Sequence, residues 1–244
     1  MTLRQGLLAR GRRNSAAFTF VKDIGIMAQA VLTISSKNYG AWSLRGWLLA
    51  RLAGLEFAEK VIPPDDADMR AEILLLSPSI LVPSLEHNGI KVWDTLAIGE
   101  YLHEVNPKAG LLPSDMAARA HCRAICGEMH SGFSSMRSSM PLNIKAFFPK
   151  FRTWSRADAD IRRIVDIWTD CLTRYGGPYL FGKNPCMADA MYAPVVSRFR
   201  TYDIPLDALC VGYCTSIWTL PAMQEWIAAA QEEPDDFDEL DAEF

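Results

Sequence analysis

The pattern of apolar residues changes once along the chain, and this change limits the possible folds more than any other feature. Between about residues 30 and 105, short strand-like runs alternate with helical segments. From Met116 onward strand signals almost vanish, and long segments with helical spacing follow one another. With 244 residues, the chain is long enough for two such regions to share an interface. We therefore predict an α/β domain followed by an all-α domain.

The first region has the predicted order strand, helix, strand, helix, hairpin, helix. The run AVLTI predicts the first strand, and the next three elements are predicted at residues 42–55, 57–62 and 68–76. Asn88-Gly89 joins two strand-like stretches between residues 81 and 93, and this dipeptide is a strong signal for a two-residue hairpin. Asp94-Thr95 then opens a helix that extends through Leu102.

The second region and the two ends of the chain complete the predicted organisation. Helical spacing covers residues 117–136, 156–175, 189–202 and 223–232. The linker 106–114 contains Pro107, Gly110 and Pro113, which is typical of a domain boundary. The prediction is therefore an N-terminal extension at 1–29, expected to be disordered, and an α/β domain at 30–108. An all-helical domain at 115–232 and a solvated acidic tail at 233–244 follow.

Composition excludes several classes of function. A net charge of −4 gives no electrostatic reason to expect nucleic acid or an anionic membrane as a partner. No run of about 18 apolar residues is present, so we expect no membrane-spanning segment. The six cysteines form no C-x-x-C pair, and the two C-x3-C pairs have no accompanying histidines. We therefore expect buried free thiols in a reducing cytoplasm and no metal.

Four stretches of the chain resemble the glutathione transferase superfamily. Residues 81–85, LVPSL, resemble its "V-P-x-L", and residues 93–102, WDTLAIGEYL, resemble "E-S-x-A-I-x-x-Y-L". Residues 180–190 resemble the "L-x-G…x-x-A-D" of the helical domain, and residues 39–45 resemble the first-loop motif "S-S-x-S-x-R" of zeta-like members. The resemblance implies a cytosolic-type member with a thioredoxin-like N-terminal domain, an all-helical C-terminal domain and glutathione as co-substrate.

The resemblance further implies that Val82, Pro83, Asp94 and Thr95 bind glutathione. An X-Pro bond prefers trans by only about 0.5–1 kcal/mol, so a strand start can hold it cis. In the family the cis proline turns the backbone of the preceding residue, here Val82, toward the cysteinyl backbone of glutathione. A trans proline that simply begins a strand is the alternative. Asp94 and Thr95 are expected to hold the γ-glutamyl group at a helix N-terminus, and ordinary N-capping is compatible with that role.

A hydroxyl in the first loop is expected to activate the glutathione thiol. Lowering a thiol pKa by about two units requires roughly 2.7 kcal/mol. One hydroxyl that donates to the sulfur anion contributes about 1.5–3 kcal/mol, so one suffices. Aligning Ser43 on the zeta-like motif puts Gly40 and Ala41 where those enzymes carry two serines. The remaining candidates, in order of preference, are Ser36, Tyr39, Ser43 and Ser35; Ser43 as a helix cap and Ser35-Ser36 as a turn are the structural alternatives.

The helical region adds a candidate substrate pocket and one structural residue. Met129, His130, Phe133 and Arg137 lie in the segment that lines the electrophile pocket in transferases, and a plain hydrophobic core is the alternative for the methionine and aromatic positions. Asp189 is expected to be structural, as the acidic member of an imperfect capping box with Cys186.

The predicted function is a glutathione transferase that adds glutathione to a small electrophile in detoxification. A glutathione-dependent isomerase of the maleylacetoacetate type is one alternative, although the missing serines count against it. A non-catalytic binding or scaffold protein with the same fold is another. The resemblance also implies a homodimer. From the cysteines, the charge and the apolar pattern we expect a cytoplasmic protein with neither nucleic acid nor membrane as a partner.

Overall fold

The computed structural model describes residues 30–62 and 82–234. The predicted extension at 1–29, the helix at 68–76 and the tail from residue 235 onward lie outside the described residues. Within them, the first third of the chain carries a four-stranded sheet and the remainder is helical. This arrangement confirms the predicted fold class.

The sheet consists of β1 (Ala30–Ile34), β2 (Ala58–Val61), β3 (Ser84–His87) and β4 (Ile90–Trp93), in the order β2-β1-β3-β4. β1 runs parallel to β2 and antiparallel to β3, which in turn pairs with β4. Side chains alternate across a strand, and every second residue of β1 is accordingly buried. Asn88 and Gly89 have φ values of 51° and 78°, as a two-residue hairpin turn requires.

Eight α-helices surround or extend the sheet within the described residues. They are α1 (Ala41–Leu52), α2 (Thr95–Val105), α3 (Met116–Ser131), α4 (Ser134–Ser139), α5 (Ser155–Tyr175), α6 (Met187–Thr201), α7 (Ala208–Trp218) and α8 (Pro221–Gln231), with a 3-10 turn at Pro107–Ala109. α1 lies between the sheet and α6, which is buried along almost its whole length. The sheet-bearing and helical parts therefore share one hydrophobic core. The boundaries of the predicted domains stay predictions.

The helices of the structure differ from the predicted ones in two places. The predicted helix at 117–136 is broken into α3 and α4, because Phe133 adopts a left-handed φ of 58°. A Cβ on Gly132 would lie 2.7 Å from the carbonyl oxygen of Glu128, so only glycine fits the break. The helix α7 was not predicted from the sequence, because its residues, ALCVGYCTSIW, show little separation of polar and apolar faces. Its start is nevertheless capped by Asp207, which accepts the Cys210 N–H at 2.8 Å.

The six cysteines are free and buried, as expected for scattered core thiols. Among the described residues, no helix combines the length and apolar character needed to cross a membrane. The helical part is held at its centre by Asp189, which is fully buried and accepts N–H groups from Leu180 at 3.1 Å and Cys186 at 2.8 Å. This geometry supports the structural role expected for Asp189.

Candidate functional site

The peptide bond between Val82 and Pro83 is cis, in agreement with the sequence-based expectation. It lies directly before β3 and packs against α1. A Cβ on Gly46 would lie 2.5 Å from the Cβ of Pro83, so glycine at position 46 allows α1 to approach this bond. The bond therefore lies at the start of the interior strand β3, where that strand meets α1.

Asp94 stands at the N-terminus of α2 in an unusual backbone conformation. Its φ of 74° and ψ of 137° are strained for a residue that is not glycine, and such strain is concentrated at functional sites. One carboxylate oxygen accepts the N–H groups of Leu96 at 2.8 Å and Ala97 at 3.3 Å. The other lies 2.5 Å from Nε2 of His130. Asp94 therefore caps α2 and connects it to α3.

The next residue, Thr95, has a buried hydroxyl with no hydrogen-bond partner among the described residues. Thr95 is 1% exposed, and an unpaired buried polar group costs about 1–3 kcal/mol. A ligand group that reached this hydroxyl would remove that cost. The N-terminus of α2 thus combines a strained acid, a helix dipole and an unsatisfied hydroxyl.

The first predicted thiol-activating residue, Ser36, is engaged with the far end of the described chain. Its hydroxyl donates to Oε2 of Glu233 at 2.7 Å, and the N–H groups of Lys37 and Asn38 donate to the same carboxylate at 2.6 and 3.0 Å. While its hydroxyl donates to Glu233, Ser36 cannot donate to a sulfur anion. Reasoning from the sequence missed Glu233, because it lies 197 residues from Ser36 in a stretch of acidic residues.

Ser35 and Ser43 form a buried pair with their hydroxyl oxygens 2.9 Å apart, and the Ser35 N–H also donates to the Ser43 hydroxyl. Tyr39 is 5% exposed, and its N–H donates to the Ser36 hydroxyl at 3.0 Å. Ser35, Ser36 and Tyr39 therefore lie in the loop between β1 and α1, and Ser43 lies in the first turn of α1. Gly40 completes this loop: a Cβ there would lie 2.3 Å from the Ser36 carbonyl oxygen. This conformation leaves no room for a serine at position 40.

The four predicted pocket residues separate into two groups. Met129 and Phe133 are buried in the hydrophobic core, which was the alternative to a substrate pocket for these two positions. His130 and Arg137 are half-buried and adjacent, with Nη1 of Arg137 donating to the His130 carbonyl at 3.3 Å. Both lie against the ring of Trp42, with the His130 ring 5.2 Å and the Arg137 guanidinium 5.6 Å from its centroid. Trp42, which stands in the first turn of α1, was not among the predicted site residues.

His130 thus brings the two parts of the fold together at the candidate site. Its side chain contacts Asp94 at the start of α2 and Trp42 at the start of α1. Through Trp42 it is next to the first loop, and through Asp94 it is next to Thr95. The predicted residues from 82 to 95 and His130 therefore form one connected region.

A separate cavity of about 890 Å³ lies between α4 and residues 147–157. Aromatic side chains of Phe147, Phe148, Phe151 and Trp154 contribute to its walls. None of the predicted site residues lines it.

Three side chains, those of His121, Asp170 and Cys171, bring potential metal ligands within 4.8 Å of one another. Burial raises the pKa of the Cys171 thiol to about 12, which opposes the deprotonation that metal binding requires.

Comparisons with known proteins identify the family. The profile of the glutathione S-transferase N-terminal domain matches residues 39–105, and that of the glutathione S-transferase C-terminal domain matches residues 152–229. Together the two matches cover more than half of the chain. The chain belongs to the glutathione transferase superfamily. The candidate site at α1, β3 and α2 therefore lies mostly within the segment matched by the N-terminal profile of that family.

Curated relatives of this transferase-family chain include several isomerases. It is 24% identical over 170 residues to a probable maleylacetoacetate isomerase of Caenorhabditis elegans, covering 68% of this chain and 77% of the relative. It is 30% identical over 136 residues to the maleylacetoacetate isomerase of Rattus norvegicus, covering 56% of this chain and 62% of the relative. The chain thus spans less than two thirds of the rat enzyme.

Solved structures give the same fold. A glutathione transferase homolog from Burkholderia with bound glutathione superposes with a TM-score of 0.61 at 19% identity, covering 84% of this chain and 99% of that one. The maleylacetoacetate isomerase of Anaeromyxobacter dehalogenans with bound glutathione superposes with a TM-score of 0.60 at 23% identity, covering 84% of this chain and 98% of that one. At this identity the likeness shows the fold alone.

Proposed function

We propose that this protein binds glutathione between the Val82-Pro83 bond and the N-terminus of α2 and activates its thiol for addition to a small electrophile. The unpartnered hydroxyl of Thr95 beside the strained Asp94 is the observation that carries this proposal. The N-terminus of α2 would hold the γ-glutamyl carboxylate, because the helix dipole attracts anions and the Thr95 hydroxyl has no partner among the described residues. The Val82 backbone would pair with the cysteinyl residue. Glutathione-bound relatives of the same fold support the choice of ligand.

Titration with reduced glutathione tests the proposal directly. The fluorescence of Trp42, at the candidate site, gives the readout, and calorimetry confirms the stoichiometry. Saturable binding at millimolar or lower concentration is the expected result. If calorimetry detects no binding in that range, glutathione is not the ligand and the site serves another purpose.

The hydroxyls of Ser36 and Tyr39, the first two choices from the sequence, are the donors to test first. The Ser36 hydroxyl donates to Glu233, so a thiolate would have to displace that carboxylate before Ser36 could donate to it. Tyr39→Phe is expected to lower kcat/KM with a neutral electrophile roughly 10- to 100-fold, because one charge-assisted hydrogen bond is lost. The glutathione dissociation constant, measured in parallel, separates a loss of binding from a loss of activation. A rate loss in Ser36→Ala with none in Tyr39→Phe would assign the activation to Ser36.

Restoring a serine at position 41 provides a test by gain of function. Ala41 is the first residue of α1 and is partly exposed, so a hydroxyl there fits at a helix N-terminus. Ala41→Ser is expected to raise kcat/KM by roughly tenfold, the effect of one added hydrogen bond to a thiolate. Ala208→Ser, at the exposed first position of α7, is the matched control and should change nothing. Gly40→Ser, in contrast, is expected to disrupt the loop, since its Cβ meets the Ser36 carbonyl oxygen.

An isomerase of the maleylacetoacetate type is the second candidate function. The curated isomerase relatives and the resemblance of residues 39–45 to the zeta-like first loop favour it. The thiolate would add to a conjugated carbon, allow rotation about the resulting single bond and leave again, so glutathione would be regenerated. Glutathione consumption distinguishes the two reactions, because only the transferase depletes it. If neither reaction occurs despite glutathione binding, a non-catalytic binding or scaffold role remains.

We also propose a cytoplasmic homodimer with a role in detoxification, as the family resemblance implies. Sedimentation equilibrium of the purified chain measures the oligomeric state. A mass of one chain at micromolar concentration would contradict the dimer.

A further inference from the structure

Two arginines are buried at the interface between the sheet-bearing and helical parts. Arg45 of α1 is 0% exposed and Arg198 of α6 is 3% exposed. Each uses its Nε–H on a backbone carbonyl: Arg45 donates to Met191 at 2.8 Å and Arg198 donates to Met140 at 2.7 Å. These bonds hold the two guanidinium planes in place.

The remaining donors of Arg45 have no acceptor in the described part of the chain. Its Nη1 and Nη2 atoms are buried and make no hydrogen bond to any described residue. Arg198 has one further bond, from Nη1 to the Pro194 carbonyl, and at 3.5 Å it is long. An arginine stays charged in proteins, so both unsatisfied donors of Arg45 belong to a cation. Burying such a group without an acceptor or an anion is unfavourable.

A third arginine, Arg137 of α4, lies next to this pair. The guanidinium carbons of Arg45 and Arg137 lie 4.5 and 5.6 Å from the centroid of the same ring, that of Trp42. The pKa of Arg45 lies well below its usual range. Burial is the largest cause, and repulsion from Arg198 and Arg137 adds to it. Burial and repulsion from Arg137 lower the pKa of Arg198 to about 10. The three cations, called here the arginine cluster, are therefore close enough to repel one another.

Little negative charge from the described residues compensates this cluster. Among the described residues, the carboxylate of Asp160 stabilises Arg137, and it also accepts the Met136 N–H at 2.9 Å. The groups that favour the charged form of Arg45 are Tyr192 and Cys126, and neither is an acid at neutral pH. A ligand that carried negative charge would supply both the missing charge and the missing acceptors.

We propose that the arginine cluster binds a carboxylate and that this carboxylate belongs to the second substrate of the glutathione site. A carboxylate offers two coplanar oxygens, which match the two free Nη donors of Arg45. Trp42 and Arg137 are the partly exposed members of this region, so the ligand enters beside them. Trp42 contacts His130, which contacts Asp94, and the carboxylate is thereby next to the proposed glutathione site. The assignment of the substrate rests on the proposed function.

A matched pair of electrophiles tests the substrate assignment. One is a chlorodinitrobenzene and the other is the same ring with a carboxylate added. In both, the thiolate attacks the carbon that bears chlorine, a carbon–sulfur bond forms, chloride leaves with the bonding electrons, and the thiol proton goes to solvent. We expect kcat/KM to be at least tenfold higher for the carboxylate, and Arg137→Gln to lower the ratio of the two kcat/KM values roughly tenfold, the loss of one charge-assisted bond.

The control is Arg200→Gln. Arg200 is exposed and stacks on a tryptophan, Trp218, at 4.2 Å, but it does not belong to the arginine cluster. The variant Arg200→Gln should leave the ratio of the two kcat/KM values unchanged. Equal kcat/KM values for the two electrophiles in the unmodified protein, or equal falls of the ratio in the two variants, would overturn the substrate assignment.

A binding measurement without glutathione separates this inference from the proposed function. Succinate is expected to raise the midpoint of thermal unfolding of the unmodified protein and of Arg200→Gln, and to do so less in Arg137→Gln. Chloride at equal ionic strength is the control for screening. If chloride stabilises as well as succinate does, a carboxylate site is overturned; if neither stabilises, the anion site itself is overturned. The succinate measurement does not depend on catalysis. If succinate binds as expected but the protein turns over no electrophile, the proposed function is contradicted and the anion site is not.

Discussion

Thr95→Val is expected to weaken glutathione binding roughly 10- to 100-fold, which corresponds to one hydrogen bond to a charged group. The side chains are nearly equal in shape, so the replacement removes a hydroxyl and little else. In the protein without ligand that hydroxyl is buried and has no partner among the described residues. The variant without glutathione should therefore be as stable as the unmodified protein or slightly more stable, because a cost of folding is removed.

These two opposite effects distinguish a ligand-binding hydroxyl from a structural one. Calorimetric titration with glutathione measures the first and urea denaturation measures the second. Thr215→Val is the matched control, since Thr215 is exposed on α7 and donates only to the Val211 carbonyl. Unchanged glutathione affinity in Thr95→Val would remove Thr95 from the site. A marked loss of stability without ligand would indicate a structural role instead.

Asp189→Ala is expected to lower the free energy of unfolding by about 3 kcal/mol, because two buried N–H groups lose their acceptor. These are the N–H groups of Leu180 and Cys186, at the loop that leads into α6. Since α6 packs against α1, the loss should be seen in a single cooperative urea transition rather than in local fraying. A change below about 1 kcal/mol, the size of an ordinary exposed cap, would contradict this role.

The pH dependence of stability gives a second readout for Asp189. Burial raises its pKa from 3.8 to about 6 in the folded protein, although the accepted hydrogen bonds oppose this shift. The folded state therefore binds a proton more tightly than the unfolded chain does between these two values. Over that interval this group makes the free energy of unfolding fall as pH rises. Asp189→Asn should remove this contribution, and an unchanged pH profile would show that the carboxyl does not titrate there.

Several parts of the site could be predicted from short stretches of sequence. The strand at residues 30–34, the Asn88-Gly89 turn and the cap at Asp94 depend on neighbours within a few residues, and each was confirmed. The cis bond before Pro83 belongs to the same group, because proline itself makes that geometry accessible. The fold class followed from the change of apolar pattern and from the spacing of the four family-like stretches.

Other features of the site depend on residues that are far apart in the chain. Ser36 was the first choice for thiol activation, yet its hydroxyl donates to Glu233. His130 was predicted to line a pocket, and the structure places it between Trp42 and Asp94. The break at Phe133 divides a segment whose helical spacing is continuous in sequence, and it separates α4 from α3.

The sequence by itself thus determined the family, the strands and most of the helices of the described residues, because backbone preferences and turn chemistry act over a few residues. Only the tertiary structure decided which hydroxyls are already engaged, which buried cations lack an acceptor, and that Arg45, Arg137 and Arg198 form one cluster. The physical reason is that hydrogen-bond satisfaction and electrostatic compensation depend on every group within a few ångströms. In this chain those groups come from α1, α4 and α6, which meet only when the two parts of the fold pack together.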